Sequence, residues 1–468
     1  MAASKSPCSV MNDVAALTNG RTLRARLKRA EQANLILPKA RDPVAILEQQ
    51  HVSRLADLVP VRVGRMAQSA FAYYRGTAAV MAADLAAGPH TGIRVVCCGD
   101  AHVSNFGFYA SPERTLLFDL NDFDEAGVAP WEWDIKRLAA SVHIAGRDIG
   151  MSEAACRDAT QRAVGSYRSC LRHLMGLSAM ERYYFHVDSA RVEAMFAGDL
   201  TRRAVKKARS RTSEQLIGKM TVRDEKNGGG LRIVDQPPVT RHVAHADLEQ
   251  LHGLFLQYLG TLREDTAWLL SQFRLVDFVL RVVGVGSVGT RCYVLAFEGP
   301  GGEVLFLQAK EAQASVLSSH GGMPAVIAGA PGGVEYSEGH RVVAGQRILQ
   351  AQSDPFIGHI VGWAGEQSDC PRVDYYWRQF RDMKGSIDLA RLDGAQLTSY
   401  GELCGTLLAR AHSQSPGAVA IAGYLGSGAR FDEAISKWSV AYADLCEADY
   451  AALRAAIRSG RLPAETER

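Results

Sequence analysis

The spacing of hydrophobic positions divides the chain into a mixed first half, a strand-rich later stretch and a helical end. Asp42-Pro-Val-Ala-Ile-Leu-Glu-Gln-Gln opens a helix, because Asp42 can cap it and Pro43 suits its first position. Thr77 to Ala87 is rich in Ala, Met and Leu and predicts another helix. Two apolar runs of strand length, Ile93–Cys98 and Thr115–Phe118, follow. Helices are predicted again from Pro130, with Ile135, Leu138, Ala139 and Val142 on one face, over 152–176, and over 246–272. From Phe278 the period changes. Phe278–Val283, Cys292–Phe297 and Val304–Lys310 read as strands of an antiparallel meander, with Gly284, Gly286 and Gly289 in the first turn and Pro300-Gly-Gly in the second. A helix over Glu335–Gln352 and two strands, Phe356–Trp363 and Arg372–Phe380, complete this stretch. The chain is helical from Leu397, with a break over Ser415–Arg430. Residues 1–41 read as a basic, solvated and partly ordered terminus, with an anion-binding arm as the alternative, and 463–468 as a disordered tail.

Composition places the pattern in an ordinary globular class. The 468 residues are 47% hydrophobic and 22% charged, enough for a real core and more than one domain. A net charge of +3 argues against nucleic acid as the main partner, so any anion site must be local. The nine cysteines show no CxxC or zinc spacing, which fits reduced thiols in a cytoplasmic protein. No apolar run is long enough to predict a membrane span, and the first twenty residues lack a signal-peptide core. The oligomeric state cannot be read from the sequence.

Both apolar runs before residue 120 end in groups suited to a hard cation. The first leads into Gly99, Asp100, His102 and Asn105, and the second into Asp119, Asp122 and Asp124. Magnesium takes oxygen ligands, commonly one or two carboxylates with substrate phosphates. His102 reads as a structural hydrogen-bonding residue rather than a base. Arg62, Arg65 and Arg75 stand among apolar and aromatic residues, where they would meet an anionic group or structural carboxylates. Arg202, Arg203, Lys206, Lys207, Arg209 and Arg211 form either a solvated helix face or a substrate-facing patch.

Gly284-Val-Gly-Ser287-Val-Gly289 lies between two strands and does not open a helix, which argues against a dinucleotide-binding turn. With Lys310 on the next strand, it resembles the small lobe of protein kinases, where a glycine hairpin covers ATP phosphates and the lysine pairs with a helix glutamate. Glu335 or Glu338 would be that partner. Gly99-Asp100-x-His-x-x-Asn105 resembles the catalytic loop of aminoglycoside-type kinases, and Asp122 to Asp134 resembles the segment after it. The resemblance implies Asp100 as base, Asn105 and Asp122 as magnesium ligands with Asp119 or Asp124 as second ligands, and Asp134 as a structural residue. The order of the two halves is reversed, and Tyr400–Ser413 resembles the helix that normally precedes the catalytic loop. The implied fold is α+β, two-lobed and kinase-like, with the chain circularly permuted: a large lobe at 42–265, a nucleotide-binding lobe at 266–385 and completing helices at 386–462. From Asp42 onward the chain also resembles a bacterial family catalogued as domain of unknown function twenty-two fifty-two, through stretches such as Pro60-Val-Arg-Val-Gly-Arg-Met, Trp131-Glu-Trp-Asp-Ile-Lys-Arg and Arg378-Gln-Phe-Arg-Asp-Met-Lys-Gly. The expected activity is ATP- and magnesium-dependent phosphoryl transfer to a hydroxyl acceptor, a small molecule before a protein. Transfer of AMP, nucleotide binding without catalysis, and a metal phosphohydrolase are the alternatives.

Overall fold

The computed structural model describes residues 14–196, 199–224, 230–237, 239–243, 248–282, 284–325, 327, 337–362 and 373–465. The aspartate-bearing stretch is carried by four short strands, β1 (Arg94–Cys97), β2 (Phe106–Ala110), β3 (Leu116–Leu120) and β4 (Gly127–Pro130). They pair antiparallel, β1 with β4 and β2 with β3. Every residue of β2 and β3 is buried, so these strands do not alternate apolar and polar positions, and Asp119 is the one charged residue among them. A separate hairpin joins β5 (Thr221–Asp224) to β6 (Gly230–Ile233).

The later stretch forms a six-stranded antiparallel sheet from β7 (Thr240–Arg241), β8 (Arg274–Arg281), β9 (Cys292–Glu298), β10 (Val304–Ala312), β11 (Gly358–Val361) and β12 (Asp374–Gln379), ordered β11-β12-β10-β9-β8-β7. The central strands are apolar at successive positions because both faces are covered. Phe278, Leu280, Tyr293, Leu295, Phe297, Leu305 and Leu307 pack on one face with Leu254, Phe255, Tyr258 and Leu270. Val279, Val294, Ala296 and Phe306 pack on the other with Ile217, Leu231 and Ile233. The helices Leu248–Leu259 and Glu264–Leu270 thus belong to the sheet, and the expected boundary at 265/266 cuts through the first turn of the second.

A larger core takes in β1–β4 and the long helices Glu132–Asp148, Glu153–Leu174, Gly394–His412 and Arg430–Arg458. The second and third of these pack side by side, and a Cβ on Gly405 would lie 2.2 Å from the Ala163 carbonyl oxygen, so no larger residue fits that crossing. The helix Glu338–Leu349 contributes Val342, Val343 and Leu349 to this large core while also touching β11 and β12.

Both chain ends differ from expectation. The basic arm contains a helix, Val14–Arg26, against Ala418–Leu425. Arg24 Nε donates to the Tyr424 carbonyl at 2.8 Å and Arg29 Nη1 to that of Leu425 at 2.6 Å. Helix C-terminal carbonyls attract cations, which draws the arginines out of solvent. At the other end Leu462 is buried and the Glu465 N–H donates to the Pro60 carbonyl at 2.9 Å, so 463–465 are held rather than disordered. Residues 466–468 lie outside the described residues.

Candidate functional site

The loop after β1 is shaped by Gly99. Its φ of +78° is left-handed, and a Cβ there would lie 2.2 Å from the Glu125 carbonyl oxygen. Asp134 lies in the first turn of Glu132–Asp148, where its carboxylate could serve amides of its own helix. It accepts instead from the loop, from Cys98 N–H at 2.7 Å and Gly99 N–H at 3.0 Å. His412 Nε2 lies 3.2 Å from the same carboxylate, and Tyr167 Oη 2.8 Å from His412 Nδ1. The helix end at His412 is therefore tied to the loop.

Asp100 points its carboxylate into the cleft. Arg137 Nε donates to Oδ1 at 2.7 Å, and the guanidinium stacks 3.9 Å over the Tyr74 ring. Burial raises the pKa of Asp100, while Arg137 and Arg75 oppose the rise. Asn105 Nδ2 donates to the Asp100 carbonyl at 2.8 Å, which directs its amide oxygen to other partners. His102 lines the cleft with its Nε2 3.7 Å from Asp100 Oδ2. Burial, then Arg137 and Arg75, push its pKa far down, and its Nδ1 accepts from Ser104 N–H at 3.2 Å.

The three aspartates of the second run part ways. Asp119 is buried on β3 and accepts from the Ala351 N–H at 2.8 Å, which removes it from the cleft. Asp124 accepts from Tyr376 Oη at 2.7 Å and pairs with Lys310 Nζ. Burial would raise its pKa, but Lys310 and Tyr376 outweigh burial and lower it. Asp122 keeps its carboxylate for the cleft; its one hydrogen bond among the described residues is from Asp124 N–H, at 3.4 Å. Burial and then Asp124 raise its pKa, against Lys310, Arg378 and Lys384. Asn105 and Asp122 thus offer oxygen atoms that could hold a hard cation, and they fit magnesium with phosphate and water completing the shell. Asp124 is committed to Lys310.

The expected partner of Lys310 differs as well. Its carboxylate is Asp124, and burial is overcome by that pair, which drives the ammonium pKa up. Glu338 pairs with Arg341 at 2.5 Å, the arginine three residues on along the same helix. Glu335 lies outside the described residues.

The glycine turn closes over Asp100, Asn105 and Asp122, with Gly284, Gly286 and Ser287 lining the same cleft. It is strapped from the opposite side. Leu55 N–H donates to the Gly289 carbonyl at 2.8 Å, Arg54 Nη1 to that of Val288 at 2.5 Å, and Arg65 Nη1 to that of Gly284. Of the three arginines singled out in the sequence, Arg62 and Arg75 line the cleft and Arg65 is a strap. Past Asp122 the cleft opens into a chamber of about 550 Å³ lined by Lys310, Phe356, Arg378, Phe380 and Lys384.

Sequence reasoning missed Arg54, Arg137, Arg378 and Lys384. The last three lie inside stretches already conspicuous in the sequence, but nothing in their spacing shows what they touch. Of the basic run, Arg202, Arg203, Lys206 and Lys207 are solvent-exposed on the helix Asp199–Arg209, whereas Arg211 Nη1 donates to the Lys384 carbonyl at 2.8 Å and so ties the helix end to the chamber wall.

Neither a curated protein nor a solved structure matches the chain. The family model described as "Uncharacterized protein conserved in bacteria (DUF2252)" matches residues 54–456, a span that holds the loop, the aspartates, the glycine turn and Lys310, and the chain belongs to that family.

Proposed function

We propose that the protein is an ATP- and magnesium-dependent phosphotransferase acting on a hydroxyl group of a small molecule. The observation that carries this reading is the meeting of Asp100, Asn105, Asp122 and the glycine turn at one cleft, although they lie nearly two hundred residues apart in sequence. Phosphoryl transfer needs reactants positioned and phosphate charge neutralised, with little covalent work by the protein. The chamber beside Asp122 suits a nucleotide, with cations at Lys310, Arg378 and Lys384 and apolar walls at Phe356 and Phe380.

In this reading Lys310, oriented by Asp124, holds the α- and β-phosphates, and the amides of the glycine turn cover the γ-phosphate. Magnesium, when bound, neutralises phosphate charge, and Asn105 and Asp122 are the residues that would hold it. Asp100 accepts the acceptor's hydroxyl proton as that oxygen bonds to the γ-phosphorus and the bond to the β,γ-bridging oxygen breaks, releasing ADP. Arg137 fixes the orientation of Asp100 and favours its ionised form. A permuted kinase-like fold is supported by the end of the helix Gly394–His412, which lies beside β1, where Ser415 Oγ accepts from Val96 N–H at 3.0 Å.

The test is turnover by Asp100→Asn with magnesium-ATP and a small-molecule hydroxyl library, read as ADP release. Nucleotide binding should persist while the rate falls by about 10²-fold or more. Pyrophosphate release in place of ADP would assign nucleotidyl transfer instead, and an unchanged rate would remove Asp100 from the mechanism.

A further inference from the structure

On the Asp100 side of the cleft, arginine charge stands without matching carboxylates. Arg62 is only 1% exposed. Its Nη1 meets His51 Nε2 at 2.8 Å, and its Nη2 donates to Gln50 Oε1 at 3.2 Å and to the Gly76 carbonyl at 2.9 Å. Burial and then Arg62 push His51 down to about 4, so the neutral imidazole can accept from the guanidinium but brings no negative charge to it. Arg75 is half-buried, lines the cleft and feels Asp100 across it, but has no carboxylate within ion-pair distance among the described residues. Arg54 stands beside them and feels Glu125, Glu311 and Asp124 only from a distance. The Nε of each of these arginines is buried and lacks a hydrogen-bond partner among the described residues. Buried cations are ordinarily paired, and an unpaired one is strongly destabilising, so the arrangement calls for an anion from outside.

We infer that the acceptor carries its own phosphate group, seated against Arg62 and Arg75, which presents the acceptor's hydroxyl to Asp100. This rests on the phosphotransferase reading and names its substrate class: a phosphorylated hydroxy compound. The nucleotide does not need these arginines, because Lys310, Arg378 and Lys384 supply its cations on the far side of Asp122. More than one guanidinium favours a dianion over a single carboxylate, and guanidinium forks match phosphate oxygens.

The test titrates inorganic phosphate calorimetrically into the full chain held with magnesium and the non-hydrolysable analogue AMP-PNP. Arg75→Met should weaken phosphate at least tenfold, with Arg75→Lys between it and the wild type, and both should bind AMP-PNP within about twofold of wild type. Phosphate affinity indifferent to Arg75→Met would overturn the inference. So would acetate binding as tightly as phosphate, or AMP-PNP affinity falling in parallel. If the wild type fails to bind AMP-PNP, the phosphotransferase reading fails, and the same Arg75 comparison with phosphate alone still judges the arginine site.

Discussion

Lys384 shows what burial does to a single side chain in this cleft. Burial and the neighbouring Arg378 depress its pKa to about 7, far below the unfolded lysine value of about 10.4. Between those values the unfolded chain binds more protons than the folded one, so the contribution of this group to stability rises with pH. What it contributes at the top of that window is lost as the pH falls to about 7. Lys384→Met removes the penalty. In urea denaturation the variant should exceed the wild type most near pH 7, and the gap should close toward pH 10. The same variant should bind magnesium-ATP more weakly. A gap that is flat with pH would contradict the assigned environment. Residues of this kind define the limit of legibility at this scale. That Asp100, Asn105 and Asp122 would lie together could be read from the sequence, because each stands in a short polar stretch beside an apolar strand. Arg137 and Arg54 acquire theirs only by meeting Asp100 and Val288 across the fold, and Lys384 by being buried near Asp122, Lys310 and Asp124. The partner of Lys310 was misassigned to a helix glutamate because the choice between Asp124 and Glu338 depends on packing between lobes, which no local pattern records.

Among elements, the glycine turn is the clearest case of tertiary control. The strands on either side could be predicted from their apolar runs, and β8, β9 and β10 pair as expected. The strap on the turn could not, because Arg54, Leu55 and Arg65 belong to a segment more than two hundred residues earlier. Arg65→Ala should release one end of the turn. Hydrogen exchange of the amides from 284 to 289 should speed up by about tenfold, while global stability changes by only about 1 kcal/mol, as expected for loss of hydrogen bonding at a partly exposed site. Protection unchanged at those amides would mean that Leu55 and Arg54 suffice to hold the turn. The basic arm shows the opposite error. Its charge suggested solvent, but Arg24 and Arg29 found helix-end carbonyls, an interaction available only once Ala418–Leu425 is in place.

At the scale of the whole molecule, two hydrophobic cores meet along one cleft, and the candidate chemistry lies on both sides of it. The large core supplies the loop and the aspartates; the sheet supplies Lys310 and the glycine turn. The α+β class was legible because helical and strand periods occupy different stretches of sequence. The placement of Leu248–Leu259 with the sheet was not, since a helix's apolar face does not say which core it will enter. The account stands on Asp122 joining the two sides through a magnesium-bound nucleotide. Calorimetric titration of ATP, with and without magnesium, into wild type and Asp122→Ala puts this to the test. The wild type should bind ATP with an affinity that rises at least tenfold when magnesium is present, and Asp122→Ala should lose that rise. Equal magnesium-dependent affinity in the two proteins would contradict the assigned site.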